Sequence, residues 1–242
     1  MTTFVLVHGG WQGGWTWRRM SPLLRAAGHE VYAPTLTGLG ERAHLLHAEV
    51  GLETHVRDVT AVLDFEDLSD VVLVGSSYGG AVITAVADAA AARIAGLVYV
   101  DGFVPRDGQS VFDLMPPAYR ETFRSAARRD GDDWRIPASE QLLDIWGITD
   151  SADRGWIGPR LTDFPVRCFE QPVKLPAGTA AGLPRTYIAC TGYPAAAAFA
   201  PFAERARTEH WEVGELPTGH LPMVTLPEPL TAMLCAAPAR LP

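Results

Sequence analysis

Val71-Val72-Leu73-Val74-Gly75-Ser76-Ser77-Tyr78-Gly79-Gly80-Ala81-Val82-Ile83-Thr84-Ala85-Val86-Ala87 is the stretch that decides the fold. Four apolar residues, three of them β-branched, give way to Gly-x-Ser-x-Gly and then to small and aliphatic residues that read as a helix. A strand that turns this sharply into a helix holds Ser77 at the end of a parallel strand with its hydroxyl exposed. Gly75 and Gly79 allow the strand and the helix to approach closely. The first backbone N–H groups of the helix point toward the same spot, where a negative oxygen would be stabilised. Gly-x-Ser-x-Gly alone arises often by chance. Its place between these two elements makes it a strong signal for a nucleophilic serine.

Outward from this turn, short apolar runs alternate with helical patterns, which predicts an α/β fold with a mostly parallel sheet flanked by helices. Strands are expected at Phe4–Val7, Glu30–Ala33, Val71–Val74, Gly96–Val100, Arg185–Cys190 and Trp211–Leu216. Helices are expected at Ser21–Ala27, Thr54–Leu68, Ala195–Arg207 and after Pro227. The rhythm breaks between about Phe103 and Leu183, a stretch rich in proline, arginine and tryptophan with helical pieces at Pro117–Arg129 and Ser139–Trp146. The whole chain, 1–242, therefore reads as one α/β domain carrying an inserted helical cap. The apolar cap residues Phe112, Leu114, Met115, Trp134, Leu142, Trp146 and Trp156 supply both its own packing and the roof of a pocket.

Composition narrows the function classes. The chain is 48% hydrophobic and 20% charged, as expected of an ordinary globular protein. Its formal charge is −8, and Lys174 is the only lysine among 20 basic residues, so no basic patch invites nucleic acid. The N-terminus lacks a basic segment followed by a long apolar one, no run reaches membrane-span length, and a cytoplasmic location is expected. Cys168, Cys190 and Cys235 have no metal-type spacing and cannot all pair, so no metal site is expected. A small-molecule substrate is the expected partner, and a homodimer is left open.

A serine hydroxyl needs a base within hydrogen-bond reach, and the base needs a carboxylate to fix its tautomer. After Ser77 the only histidines are His210 and His220. His220, in Pro217-Thr218-Gly219-His220-Leu221-Pro222, follows the last strand and should face the nucleophile; His210 precedes that strand and should lie at the opposite edge. His8-Gly9-Gly10-Trp11 follows the first strand, where its glycines bring backbone close to a ligand. The N–H groups of Gly10 and Tyr78 are the expected oxyanion donors. His8 reads as a residue that shapes this loop. Trp11, Trp134 and Trp146 are the candidate substrate-binding side chains.

In these features the chain resembles the α/β-hydrolase superfamily, and within it the branch of plant methylesterases, hydroxynitrile lyases and related bacterial esterases. The resemblance rests on Phe4–Trp17, Leu23–Pro34, Val71–Gly80, Leu97–Pro105 and Gly219–Pro227. It implies a Ser-His-acid triad, a helical cap and no cofactor. Two departures matter. The plant members carry their acid in the loop after the penultimate strand, which here reads Cys190-Thr191-Gly192-Tyr193-Pro194 without a carboxylate. Asp101, at the end of the preceding strand, keeps the order Ser77, Asp101, His220 and is the expected acid, unless Asp101-Gly102 is merely a turn. The hydroxynitrile lyases of this branch place a lysine after the catalytic histidine; here Leu221 follows His220, which argues against cyanide chemistry.

The resulting expectation is a serine esterase acting on a small to medium, largely apolar ester. A receptor-like protein with little turnover, and a biosynthetic lyase, cyclase or thioesterase-like enzyme, remain open, because fold does not choose among them.

Overall fold

The computed structural model describes residues 1–178 and 182–237. Four strands come first: β1 (Thr3–Val7), β2 (Glu30–Tyr32), β3 (Val71–Ser76) and β4 (Ile94–Val100). Between them lie α1 (Ser21–Ala26), α2 (Leu52–Phe65) and α3 (Gly79–Ala89). The chain then leaves the sheet through α4 (Val111–Leu114), α5 (Pro117–Asp130), β5 (Arg135–Ile136), α6 (Gln141–Ile145), α7 (Ser151–Ile157), β6 (Phe164–Pro165) and α8 (Arg167–Glu170). It returns through β7 (Arg185–Cys190), α9 (Ala200–Thr208), β8 (Glu212–Leu216), α10 (Pro222–Thr225) and α11 (Pro227–Ala236).

The main sheet runs β2-β1-β3-β4-β7-β8 with every pairing parallel. Such a sheet is covered on both faces, so its central strands are continuously apolar. Phe4–Val7 and Val71–Val74 are fully buried, which explains why both read as unbroken apolar runs. The short β5–β6 ribbon is antiparallel and belongs to the segment between β4 and β7.

Register then positions the site. Val7 pairs with Gly75, Ser76 with Val100, Val100 with Ile188, and Cys190 with Leu216. All these strands end at the same edge, the C-terminal edge where ligands sit in open parallel sheets. The next residues are His8, Ser77, Asp101, Thr191 and Pro217, so five loops emerge side by side. The turn after β3 needs its glycines. A Cβ on Gly75 would lie 2.5 Å from the Gly79 carbonyl oxygen, and one on Gly79 would lie 2.5 Å from that of Val7.

Some element boundaries differ from the sequence expectation. The helix expected over Ala195–Arg207 is split: Pro194–Ala198 form a 3-10 turn, and α9 begins beyond Phe199 with Pro201 in its first turn. Proline has no N–H to donate, and its ring suits a first helical turn rather than a helix interior. Ser139–Trp146 shortens to α6, Gln141–Ile145. The helix expected over Thr54–Leu68 begins earlier, at Leu52, and stops at Phe65, with Asp67 already at φ +49°.

Candidate active site

Ser77 sits between β3 and α3 at φ +54°, in the left-handed region that a β-carbon disfavours. Its N–H donates to the Val100 carbonyl at 3.2 Å, and its own carbonyl accepts from Gly80 and Phe103, each at 3.0 Å. Trp11 (φ +61°) and Asp101 (φ +46°) share this backbone region. A conformation of this kind costs on the order of 1–3 kcal/mol and persists only where the surroundings over-determine it. Of the other non-glycine residues with positive φ, Asp67, Asp70, Asp132 and Asp133 are aspartates and His210 a histidine, types that visit this region more readily. Ser77 and Trp11 are therefore the unusual cases, and both line one cavity.

Asp101 is fully buried. Its Oδ2 lies 2.6 Å from His220 Nδ1, and its Oδ1 accepts the Cys190 N–H at 3.2 Å. The Tyr193 hydroxyl also donates to Oδ2 and lies 3.1 Å from His220 Nδ1. His220 is 2% exposed, and its backbone N–H donates to the Trp146 carbonyl at 2.8 Å. Phe199, Tyr193 and Trp146 surround its ring, with centroids at 4.8, 5.6 and 6.4 Å. With Nδ1 donating to the carboxylate, Nε2 is the nitrogen left free to accept a proton. His220 and Ser77 line the same cavity. His210 stands between α9 and β8, at the opposite edge, and Glu204 is exposed on α9.

The loop after β1 presses against Ser77, since a Cβ on Gly9 would lie 2.9 Å from Ser77 Cβ. Gly10 follows in this loop, and Tyr78 precedes the first turn of α3. Helix-start N–H groups have no partner within the helix, which leaves that end ready for an anion. His8 is fully buried; Nδ1 donates to the Gly9 carbonyl at 2.8 Å and Nε2 accepts the Leu36 N–H at 3.0 Å. Burial pushes its pKa down to about 3, so it is a neutral brace for the loop.

The cavity is a partly open cleft with a mainly apolar lining, the character usual in small-molecule sites. Trp11, Phe123 and Phe169 form part of its wall, with Trp146, Phe199 and Met115. Among the described residues no Asp, Glu, Lys or Arg lines it. Of the candidate substrate-binding tryptophans, Trp11 and Trp146 reach the cavity. Trp134 does not: it precedes β5, its carbonyl accepts the Val166 N–H at 2.8 Å, and the Arg135 guanidinium lies over its ring. Its place in the tryptophan-rich segment between β4 and β7 was the only ground for including it, and the β5–β6 ribbon carries it elsewhere. Trp156 packs edge-on against Trp15, outside the cavity wall.

The comparisons fit this geometry. Residues 4–233 match the model of the alpha/beta hydrolase family. The chain belongs to that family. It is 40% identical over 248 residues to a carbendazim hydrolyzing esterase from Nocardioides sp. (strain SG-4G), covering 98% of this chain and 99% of that protein. Methylesterase 9 of Arabidopsis thaliana is 35% identical over 120 residues, 49% of this chain and 44% of that protein. Among solved structures, an extracellular alpha/beta-hydrolase from a Paenibacillus species superposes with a TM-score of 0.86 at 25% identity, over 98% of this chain and 99% of that one. That hydrolase is described as sharing structural and functional homology with tobacco salicylic acid binding protein 2. This chain is an esterase-type alpha/beta hydrolase, a carboxylic ester hydrolase. No helix among its described residues is long and apolar enough to cross a membrane.

Sequence reasoning missed two groups beside the site. One is Tyr193, noted only as a member of a loop without an acid. The other is His55 on the buried face of α2. Its Nε2 donates to the Thr37 carbonyl at 2.9 Å, and its Nδ1 accepts the Tyr78 hydroxyl at 2.9 Å. The Tyr78 side chain, next after Ser77, is thus anchored behind the site, with the Cys168 thiol 3.7 Å from the same nitrogen. Burial pushes the His55 pKa down to about 4 and the Cys168 thiol far up, so both are neutral. The apolar periodicity of α2 was legible, but a histidine interrupting it carries no signal of what it will meet.

Proposed function

We propose that this chain hydrolyses small, uncharged esters with a flat aromatic part, through Ser77, His220 and Asp101. The observation that carries the reading is the 2.6 Å contact between His220 Nδ1 and Asp101 Oδ2 beside a cavity that Ser77 and His220 both line. Ser77 Oγ attacks the ester carbonyl while His220 Nε2 takes its proton, and Asp101 stabilises the imidazolium. The Gly10 and Tyr78 N–H groups stabilise the oxyanion of the tetrahedral intermediate. His220 then protonates the departing alcohol, leaving an acyl group on Ser77. Water, deprotonated by His220, attacks that acyl group and releases the acid.

The walls select the substrate class. A cavity with no charged lining side chain leaves a charged substrate group without a partner, whereas indole and phenyl faces stack on flat rings. Carbendazim, a methyl carbamate on a benzimidazole, has this shape and is named as the substrate of the 40%-identical relative. It is the first compound to assay, followed by aryl and methyl esters. Cyanide elimination is disfavoured by Leu221, fully buried next to His220, and by Lys174, which lines a separate groove with Leu52, Ala85 and Asp88.

The test combines a serine-directed phosphonate with p-nitrophenyl ester turnover. Wild-type protein should carry the adduct on Ser77, and Ser77→Ala should lose both adduct and turnover. An adduct on Ser76, or turnover unaffected by Ser77→Ala, rejects the reading.

A further inference from the structure

Asp101 Oδ2 is shared. It receives His220 Nδ1–H at 2.6 Å and also the hydroxyl of Tyr193. Tyr193 comes from the loop after β7, the loop in which the resembling plant proteins keep their acid. In this chain the carboxylate stands at the end of β4, and a phenol from that loop reaches back to it. The ring is seated with care. Gly147, at φ +68°, makes room for it, because a Cβ there would lie 2.4 Å from Tyr193 Cβ. Tyr193 is 7% exposed and its ring also lines the cavity.

Resting on the triad reading, we propose that Tyr193 is a positioning residue for the Asp101–His220 pair. Its hydroxyl fixes the direction of the carboxylate and completes the hydrogen bonding of a fully buried anion. A buried carboxylate with few donors binds a proton more readily, and each additional donor favours the charged form. Three donors converge on Asp101: the Cys190 N–H, the His220 Nδ1–H and the Tyr193 O–H. The third holds Oδ2 in the direction of His220 Nδ1, so that the carboxylate faces the imidazolium formed when His220 takes the Ser77 proton.

The other titratable groups around this pair are few. Tyr187 on β7 donates to the Gly102 carbonyl at 3.2 Å, and Cys190 ends the same strand. Burial pushes both far up, followed by the charge of Asp101, so neither titrates in the working range. Burial and the same charge push Tyr193 up as well, which keeps it a donor. Tyr119 faces the cavity from α5. Among the described cavity-lining residues there is no further ionisable group besides His220.

The test is Tyr193→Phe, which keeps the ring and removes only the hydroxyl, measured beside Ser77→Ala and Asp101→Asn. The kcat on p-nitrophenyl acetate should fall by about 10-fold or more. KM should stay within about twofold. The acid limb of the kcat/KM profile should move to higher pH, because a carboxylate stripped of one donor holds the imidazolium proton more tightly. The downfield proton resonance of His220 Nδ1–H should shift in the resting protein, a change that ring packing alone would not cause. In an Asp101→Asn background, Tyr193→Phe should add little further loss. A Tyr193→Phe protein with unchanged kcat, pH limb and resonance overturns the proposal while the triad stands. A raised KM with unchanged kcat also overturns it, by making Tyr193 a wall residue only. If Asp101→Asn leaves turnover intact, the triad reading itself fails, and the role of Tyr193 fails with it.

Discussion

The C-terminal edge of the sheet and the segment between β4 and β7 meet at the same cavity but are held by different forces. At the edge, each group is fixed by backbone. Ser77 and Asp101 are locked at positive φ, and strand register and short hydrogen bonds place them. The segment above is held mainly by rings. Trp11 has ring neighbours Phe164, Phe123, Phe169 and Trp146 at centroid distances of 5.1, 5.2, 5.7 and 6.2 Å. The Trp11 indole also reaches across to the Ile136 carbonyl at 3.0 Å. Backbone locks tolerate almost no change, whereas ring packing can be re-cut with partial loss. Reactivity should therefore depend steeply on edge residues and selectivity more gently on the segment above them.

Removing the proposed nucleophile should have the largest effect. Ser77→Ala should lower kcat/KM by about 10⁴-fold or more, leaving only what binding and the oxyanion donors contribute. Ser76→Ala, one residue earlier in β3, should retain phosphonate labelling. Comparable losses in both variants would mean that the turn, rather than one hydroxyl, is what matters. Asp101→Asn comes next, at about 10³–10⁴-fold in kcat with the fold retained in circular dichroism, because an amide supports the imidazolium poorly and favours the wrong tautomer. Glu204→Gln, exposed on α9, should be silent. His220→Gln should resemble the loss of Ser77, and His210→Gln should not.

The segment above the sheet should respond on a smaller scale. Trp146→Ala opens the wall beside His220 and should cost roughly 10- to 200-fold in kcat/KM for aryl esters, and less for acetates. Trp134→Ala, off the cavity, should stay within about twofold. A Trp134 effect as large as that of Trp146 would break the distinction drawn between wall and packing. Thermal melts of both variants separate loss of the wall from loss of the fold.

The same contrast explains what could be read in advance. Ser77, Asp101 and His220 each follow a strand of the sheet, and parallel strands put their ends at one edge whatever lies between them. Chain order and strand rhythm were therefore enough to place all three at that edge. The Gly75 and Gly79 spacing told the same story, because only a close backbone approach needs it. Tyr193, Trp134 and His55 are different. Tyr193 matters because Asp101, 92 residues away, turns its carboxylate toward it. Trp134 was misjudged because a two-residue ribbon with Phe164 and Pro165 decides where it points. The split at Phe199 was not read in advance, although Pro201, inside the expected helix, suits a first helical turn. Side-chain meetings between distant segments leave no local pattern to read.

The smallest expected effect tests the edge through stability. His55 is fully buried, and burial lowers its pKa to about 4 in the folded chain, against about 6.5 unfolded. Above about pH 6.5 the group is neutral in both states, and its packing and two hydrogen bonds contribute fully. Between about pH 6.5 and 4 the unfolded chain binds a proton that the folded chain refuses, so stability falls as pH falls. His8, lowered to about 3, extends the decline further. Near pH 5 unfolding should therefore take up about one proton for each of these histidines. His55→Gln should reduce that uptake by about one while Tyr78 keeps a hydrogen-bonding neighbour. Denaturant melts between pH 4 and 8 measure the slope directly. An unchanged slope in His55→Gln would mean that His55 is protonated within the fold, and the neutral acceptor assigned to the Tyr78 hydroxyl would have to be abandoned.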